Sequence, residues 1–133
     1  MDITTTKNLE KLLANKGWVR LAFLFGSEAK NRTRTESDVD VAIWPEDNYK
    51  MDEFNRLWRE IEQTTGKEVD LVRLNEAKPT VAWAAFRGIP LLIRDKKFFI
   101  DNMLTISDEA EFMQGFVIDL WNRRKKRREE ASK

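Results

Sequence analysis

The chain has 133 residues, 41% hydrophobic and 35% charged, and its 24 lysines and arginines against 23 aspartates and glutamates leave a formal net charge of +1. It lacks cysteine, which excludes disulfides, thiol catalysis and cysteine-based zinc sites, and it lacks histidine, the commonest general base and metal ligand. Proton transfer near neutrality must then fall to carboxylates, lysines, the single Tyr49 or metal-bound water, and the near-zero charge gives no global steering toward nucleic acid as a direct substrate.

In chain order, Leu9, Leu12 and Leu13 fall on one side of residues 6–16, with Gly17 after them as a stop, so a short amphipathic packing helix is expected. Residues 18–25 form a nearly continuous apolar run broken by Arg20, the pattern of an interior strand covered on both faces. The run ends in a Gly26-Ser27 turn. Residues 28–36 are polar and carry Lys30, Arg32 and Arg34, which either neutralise a polyphosphate lying over the turn or form a solvated loop. A second strand then carries Asp38 and Asp40 on one face and Val39, Val41 and Ile43 on the other. The valine face is expected to enter a core and the aspartate face to stay out of it.

Trp44-Pro45 ends the pairing, since proline has no N–H to donate. Met51, Phe54, Leu57, Trp58 and Ile61 repeat at three and four, and Gly66 closes what reads as an amphipathic helix of about four turns. Residues 68–73 return as a strand with Val69 and Leu71 inward and Asp70 opposite. Pro79 suits the first turn of a helix over the Ala- and aromatic-rich residues 81–86, with Gly88 as its terminator and residues 90–93 as a short edge strand. Ser107 with the acids after it is expected to cap a final helix over about 107–128, whose stripe of Phe112, Met113, Phe116, Val117, Leu120 and Trp121 suits either the domain core or a partner's helix. The run Arg123 to Arg128, RRKKRR, is open to two readings: a solvated helix terminus, or a surface for RNA or an acidic partner. A single domain over 1–133 is expected. No apolar run reaches the roughly eighteen residues of a membrane span and no signal-peptide pattern appears, so the expectation is a cytoplasmic protein without a membrane partner.

The chemistry concentrates at the Gly26-Ser27 turn and the Asp38-x-Asp40 strand. Two carboxylates about 7 Å apart along one strand share a small volume, which like charges tolerate only if protonated or bridged by cations. Oxygen-only ligation suits Mg²⁺, which takes its remaining ligands from waters and substrate phosphates. Gly26 would let the backbone approach a phosphate, and the turn's amides with the Ser27 hydroxyl would donate to its oxygens. Asp70 joins the pair if its strand lies next to that of Asp38.

The segment 21–43, LAFLFGSEAKNRTRTESDVDVAI, resembles the signature of the DNA polymerase β-like nucleotidyltransferase superfamily, and within it the small MNT (minimal nucleotidyltransferase) antitoxins of HEPN/MNT toxin-antitoxin systems. The leading helix, the Val69-Asp70-Leu71-Val72 strand and the Gly88-Ile89-Pro90-Leu91 strand follow the family's order, over about residues 7–94. Two positions depart from the pattern: Asn31 stands after Lys30 where the family has glycine, and Glu28 is an unusual neighbour for a phosphate.

The resemblance implies an α/β (α+β) nucleotidyltransferase fold, a small mixed β-sheet flanked by helices with a long C-terminal helix. It implies Asp38, Asp40 and Asp70 as catalytic and metal-binding residues for two Mg²⁺ ions, and Gly26, Ser27 and Lys30 as nucleotide-binding residues. It implies further that a prokaryotic, cytoplasmic antitoxin transfers AMP from ATP to a hydroxyl, a tyrosine's, of a cognate HEPN ribonuclease toxin. Two rivals stand beside this expectation. One is a non-catalytic antitoxin that blocks its toxin with the final helix and exposed tryptophans, and the other is a small-molecule nucleotidyltransferase of the aminoglycoside type, for which no substrate domain is evident.

Overall fold

The computed structural model describes residues 1–26 and 39–109. Four strands build one mixed sheet: β1 (Val19–Phe25), β2 (Val39–Pro45), β3 (Val69–Arg73) and β4 (Ile89–Ile93), in the order β3-β2-β1-β4. β1 pairs antiparallel with both β2 and β4, and β2 pairs parallel with β3. The helices are α1 (Ile3–Ala14), α2 (Met51–Thr65), α3 (Pro79–Phe86) and α4 (Lys96–Glu109). β1 is interior, as its apolar run predicts, and β4 lies on the edge.

Period-two alternation gives the sheet two apolar faces. Val39, Val41, Ile43, Val69 and Leu71 pack with Leu9 and Leu13 of α1 and Phe54, Leu57 and Ile61 of α2. Leu21, Phe23 and Ala42 form a second core with Ala82, Trp83, Ala85 and Phe86 of α3 and Ile106 of α4. Ala42 lies on the same side of β2 as Asp40, and it is fully buried. The aspartate face is therefore also a core face, contrary to the expectation drawn from the two acids, because α3 carries the chain from the β3 edge to the β4 edge across it. At the end of this face, Asp40 is half-buried and Asp70 exposed among the described residues.

Local signals explain several element ends. The Asp2 carboxylate accepts from the Thr5 amide at 2.7 Å and starts α1 three residues before the leucine pattern suggests. Gly66, at φ 67°, closes α2. Met51, assigned to the apolar stripe of α2, is instead 48% exposed, its sulfur 3.7 Å from Arg73 Nη1.

Ser107 does not start a helix. α4 begins at Lys96, where Asp95 Oδ1 accepts from the amides of Lys97 (3.0 Å) and Phe98 (3.2 Å). Phe98, Phe99, Met103 and Ile106 face the second core, but Ile100 and Leu104 are 50% and 58% exposed and blur the period. The expected helix beyond residue 109, its apolar stripe and the basic run lie outside the described residues. No helix among the described residues is long and apolar enough to cross a membrane.

Gly88 serves packing, not termination. The residue closing α3 is Arg87 in right-handed conformation, and a Cβ at position 88 would overlap the Leu24 carbonyl oxygen and stand 2.9 Å from Phe25 Cβ. This close approach brings the α3–β4 turn onto the end of β1.

Candidate active site

The four strand ends that meet at one end of the sheet are the C-terminus of β1 and the N-termini of β2, β3 and β4. Asp40 pairs with Phe25 across the antiparallel β1–β2 ladder and with Asp70 across the parallel β2–β3 ladder. Residues in register on adjacent strands point to the same face, so both carboxylates rise from the α3/α4 side on Cα atoms about 4.8 Å apart. Val72 and Ala42, two residues further along each strand, fall on that same side and pack into the second core. The acids thus stand where the apolar face stops.

Gly26 completes this corner. Its φ is +77°, a conformation L side chains rarely adopt, and a Cβ there would overlap Asp40 Oδ2. The turn backbone is therefore in direct reach of the Asp40 carboxylate. Of the residues singled out in the sequence, Gly26, Asp40 and Asp70 come together here, while Ser27, Lys30 and Asp38 lie outside the described residues. Among the described residues no group of three acids converges. The pair Asp40 and Asp70 would supply oxygen donors from two adjacent strands beside a backbone turn, a donor type that suits a hard divalent cation.

Two residues that sequence reasoning did not assign to the site, Glu62 and Trp58, the latter read only as part of the apolar stripe of α2, contact the strand that carries Asp70. Trp58 Nε1 donates to the Val69 carbonyl at 2.7 Å, and the Val69 amide donates to Glu62 Oε2 at 3.2 Å. Their four-residue spacing on α2 was the available signal, since it sets both side chains on one side of the helix. At the opposite end of the sheet Arg73 donates to the Tyr49 hydroxyl at 2.6 Å and pairs with Glu76 at 2.8 Å. The hydroxyl bond is the main cause that holds the guanidinium above its ordinary pKa. That cluster ends the same strands as the acids but at their far ends. The four described tryptophans, Trp18, Trp44, Trp58 and Trp83, are half-buried or buried, so the exposed tryptophans invoked for a purely occluding protein are absent among the described residues.

Residues 7–97 match the family described as Polymerase beta, Nucleotidyltransferase. A Methanocaldococcus jannaschii protein named for protein adenylyltransferase activity is 34% identical over 79 residues, 59% of this chain and 85% of its own length. Among solved structures, a chain of a toxin-antitoxin complex with AMP-PNP superposes with a TM-score of 0.65 at 21% identity, covering 87% of this chain and 98% of that one. A chain from the complex of the tri-AMPylated Shewanella oneidensis HEPN toxin with its MNT antitoxin gives 0.62 at 21% identity, over 91% of this chain and 99% of that one. At these identities the solved structures establish a shared fold.

Proposed function

Because the chain belongs to the polymerase beta nucleotidyltransferase family, we propose that it is an antitoxin that transfers AMP from ATP to a side-chain hydroxyl, a tyrosine's, of a cognate HEPN ribonuclease toxin and so neutralises it. The observation that carries the reading is the register of Asp40 opposite Asp70 on one face, with the Gly26 turn against Asp40. The relative named for protein adenylyltransferase activity supports a protein acceptor, and the AMP-PNP and tri-AMPylated complexes support the donor, the partner and the modification. In this reading antitoxin and toxin act together in the cytoplasm of a prokaryotic cell.

In this reading the triphosphate lies over the Gly26-Ser27 turn, whose amides and hydroxyl hold its oxygens, with Lys30 adding charge. Asp38, Asp40 and Asp70 would hold two Mg²⁺ ions, which when bound neutralise the phosphates and lower the pKa of the acceptor hydroxyl. The acceptor oxygen bonds to the α-phosphorus, the bond from that phosphorus to the bridging oxygen breaks, and pyrophosphate leaves. Asp70, the more exposed acid, takes the hydroxyl proton or helps hold a cation. A chain without histidine needs only a carboxylate here, because the hydroxyl is already acidified.

The test is incubation with labelled ATP, Mg²⁺ and the product of the adjacent gene, expected in this reading to be the HEPN toxin. Label on the toxin, lost in the Asp38→Ala/Asp40→Ala double variant together with protection, is the expected result. No transferred label, with the double variant still protecting, overturns it in favour of occlusion.

A further inference from the structure

β3 is an edge strand, so only one of its sides is satisfied by the sheet. On that side the Val39 amide donates to the Glu68 carbonyl at 2.9 Å, and the register sets Val39 opposite Val69. In a parallel ladder the main-chain groups of the next residue then turn outward, away from β2. Both outward groups of Val69 are taken by α2. Glu62 Oε2 accepts its N–H at 3.2 Å, and Trp58 Nε1 donates to its C=O at 2.7 Å.

The two side chains are themselves held. Trp58 packs against the first core and stands edge-on to Phe54, with ring centroids 5.9 Å apart at 81°. Both side chains come from the helix whose Phe54, Leu57 and Ile61 are buried under the sheet. The peptide group whose oxygen Trp58 holds is the one that leads into Asp70. The backbone before this acid is therefore gripped from β2 on one side and from α2 on the other.

Resting on the functional reading above, we infer that Glu62 and Trp58 are positioning residues that set where the Asp70 carboxylate stands relative to Asp40. A slip of β3 by one residue would send Asp70 to the opposite face, and a smaller drift would open the gap between the two acids. Groups that orient a metal ligand from outside the coordination sphere commonly change metal affinity by about 10-fold or more when removed. If the two side chains only covered a sheet edge, their loss would lower stability and leave the acids' ion affinity unchanged.

The experiment measures Mn²⁺ binding to the full chain in the presence of AMP-PNP by electron paramagnetic resonance, with exchange of the Val69 amide followed alongside. The proteins are wild type, Glu62→Ala, Glu62→Gln, Trp58→Phe and Asp70→Asn. Glu62→Ala is expected to weaken Mn²⁺ binding about 10-fold and speed exchange at Val69. Glu62→Gln keeps an oxygen acceptor and is expected to stay within about 2-fold of wild type, while Trp58→Phe weakens binding several-fold. Should Glu62→Ala fail to fold, Trp58→Phe carries the comparison. Folded Glu62→Ala and Trp58→Phe proteins that bind Mn²⁺ like wild type, while Asp70→Asn does not, overturn this inference alone. Equal losses in Glu62→Ala and Glu62→Gln also overturn it, since charge and not the hydrogen bond would then be responsible. Unchanged binding in Asp70→Asn removes Asp70 from the site, and the positioning role falls with it.

Discussion

A side chain at Gly26 would occupy the place of Asp40 Oδ2. Turn and carboxylate are therefore fitted to one another, and neither can change without the other. Gly26→Ala is expected to push the Asp40 carboxylate aside by about 1 Å and to lower transfer about 10²-fold. The strained φ adds a folding cost of about 1–2 kcal/mol. Single-turnover rates and thermal melts of the same samples separate the two effects. Full activity in a folded Gly26→Ala protein would contradict the fit.

Asp40 and Asp70 stand in register on adjacent strands, and in the proposed site they share a cation. Asp70→Asn is expected to melt at the same temperature as wild type or higher without divalent ions, and to lose most of its transferase activity. Millimolar Mg²⁺ with AMP-PNP should raise the wild-type Tm by mass action and leave Asp70→Asn nearly unchanged. Equal Mg²⁺-induced shifts in both proteins would remove Asp70 from the ion site.

Gly88 is pressed against the Leu24 carbonyl and Phe25, whereas nothing lies within 4 Å of a Cβ built on Gly17. Gly88→Ala is expected to cost about 1–3 kcal/mol, because the neighbours that must give way are β1 itself. It should also reduce transfer, since the displaced strand leads into the Gly26 turn. Gly17→Ala should leave both stability and activity close to wild type. Denaturant melts of the two variants, side by side, provide the comparison.

Arg94 ties the ends of three elements. Its Nε donates to the Val19 carbonyl at 2.9 Å, and Nη2 donates to the carbonyls of Ala14 and Lys16 at 3.2 Å each, where α1 ends. Arg94→Ala is expected to cost about 1–2 kcal/mol, through loss of its hydrogen bonds to the Ala14, Lys16 and Val19 carbonyls. Transfer should be unaffected below the melting range, because these contacts lie at the end of β1 away from Gly26.

Asp2 provides the pH prediction. Hydrogen bonds from Thr5, side chain first and backbone amide second, hold its carboxyl below the ordinary aspartate range. A depressed carboxylate stabilises the fold above its unfolded pKa, and that contribution is lost as pH falls through the lower, folded value. The first turn of α1 should then fray only under strongly acid conditions, seen as faster exchange at the Thr5 amide. Asp2→Asn should keep the cap and abolish the pH dependence.

What the sequence determined by itself was everything set by short-range periodicity. The alternation around Asp38-Val39-Asp40 put Asp40 and Val41 on opposite faces, the three-and-four spacing made α2, and Pro79 and Gly66 marked the ends of helices. Those features follow from the geometry of one segment and need no knowledge of its neighbours. The tertiary structure alone decided that Asp70 stands opposite Asp40, since a register between strands separated by a helix is a property of their pairing. It also decided that the aspartate face is half core, because α3 and α4 cross it, and that α4 begins at Lys96, where exposed Ile100 and Leu104 hide the period. The hold of Glu62 and Trp58 on Val69 belongs to the same class: each side chain reads locally as an ordinary helix residue, and its partner is a backbone group that only folding brings near.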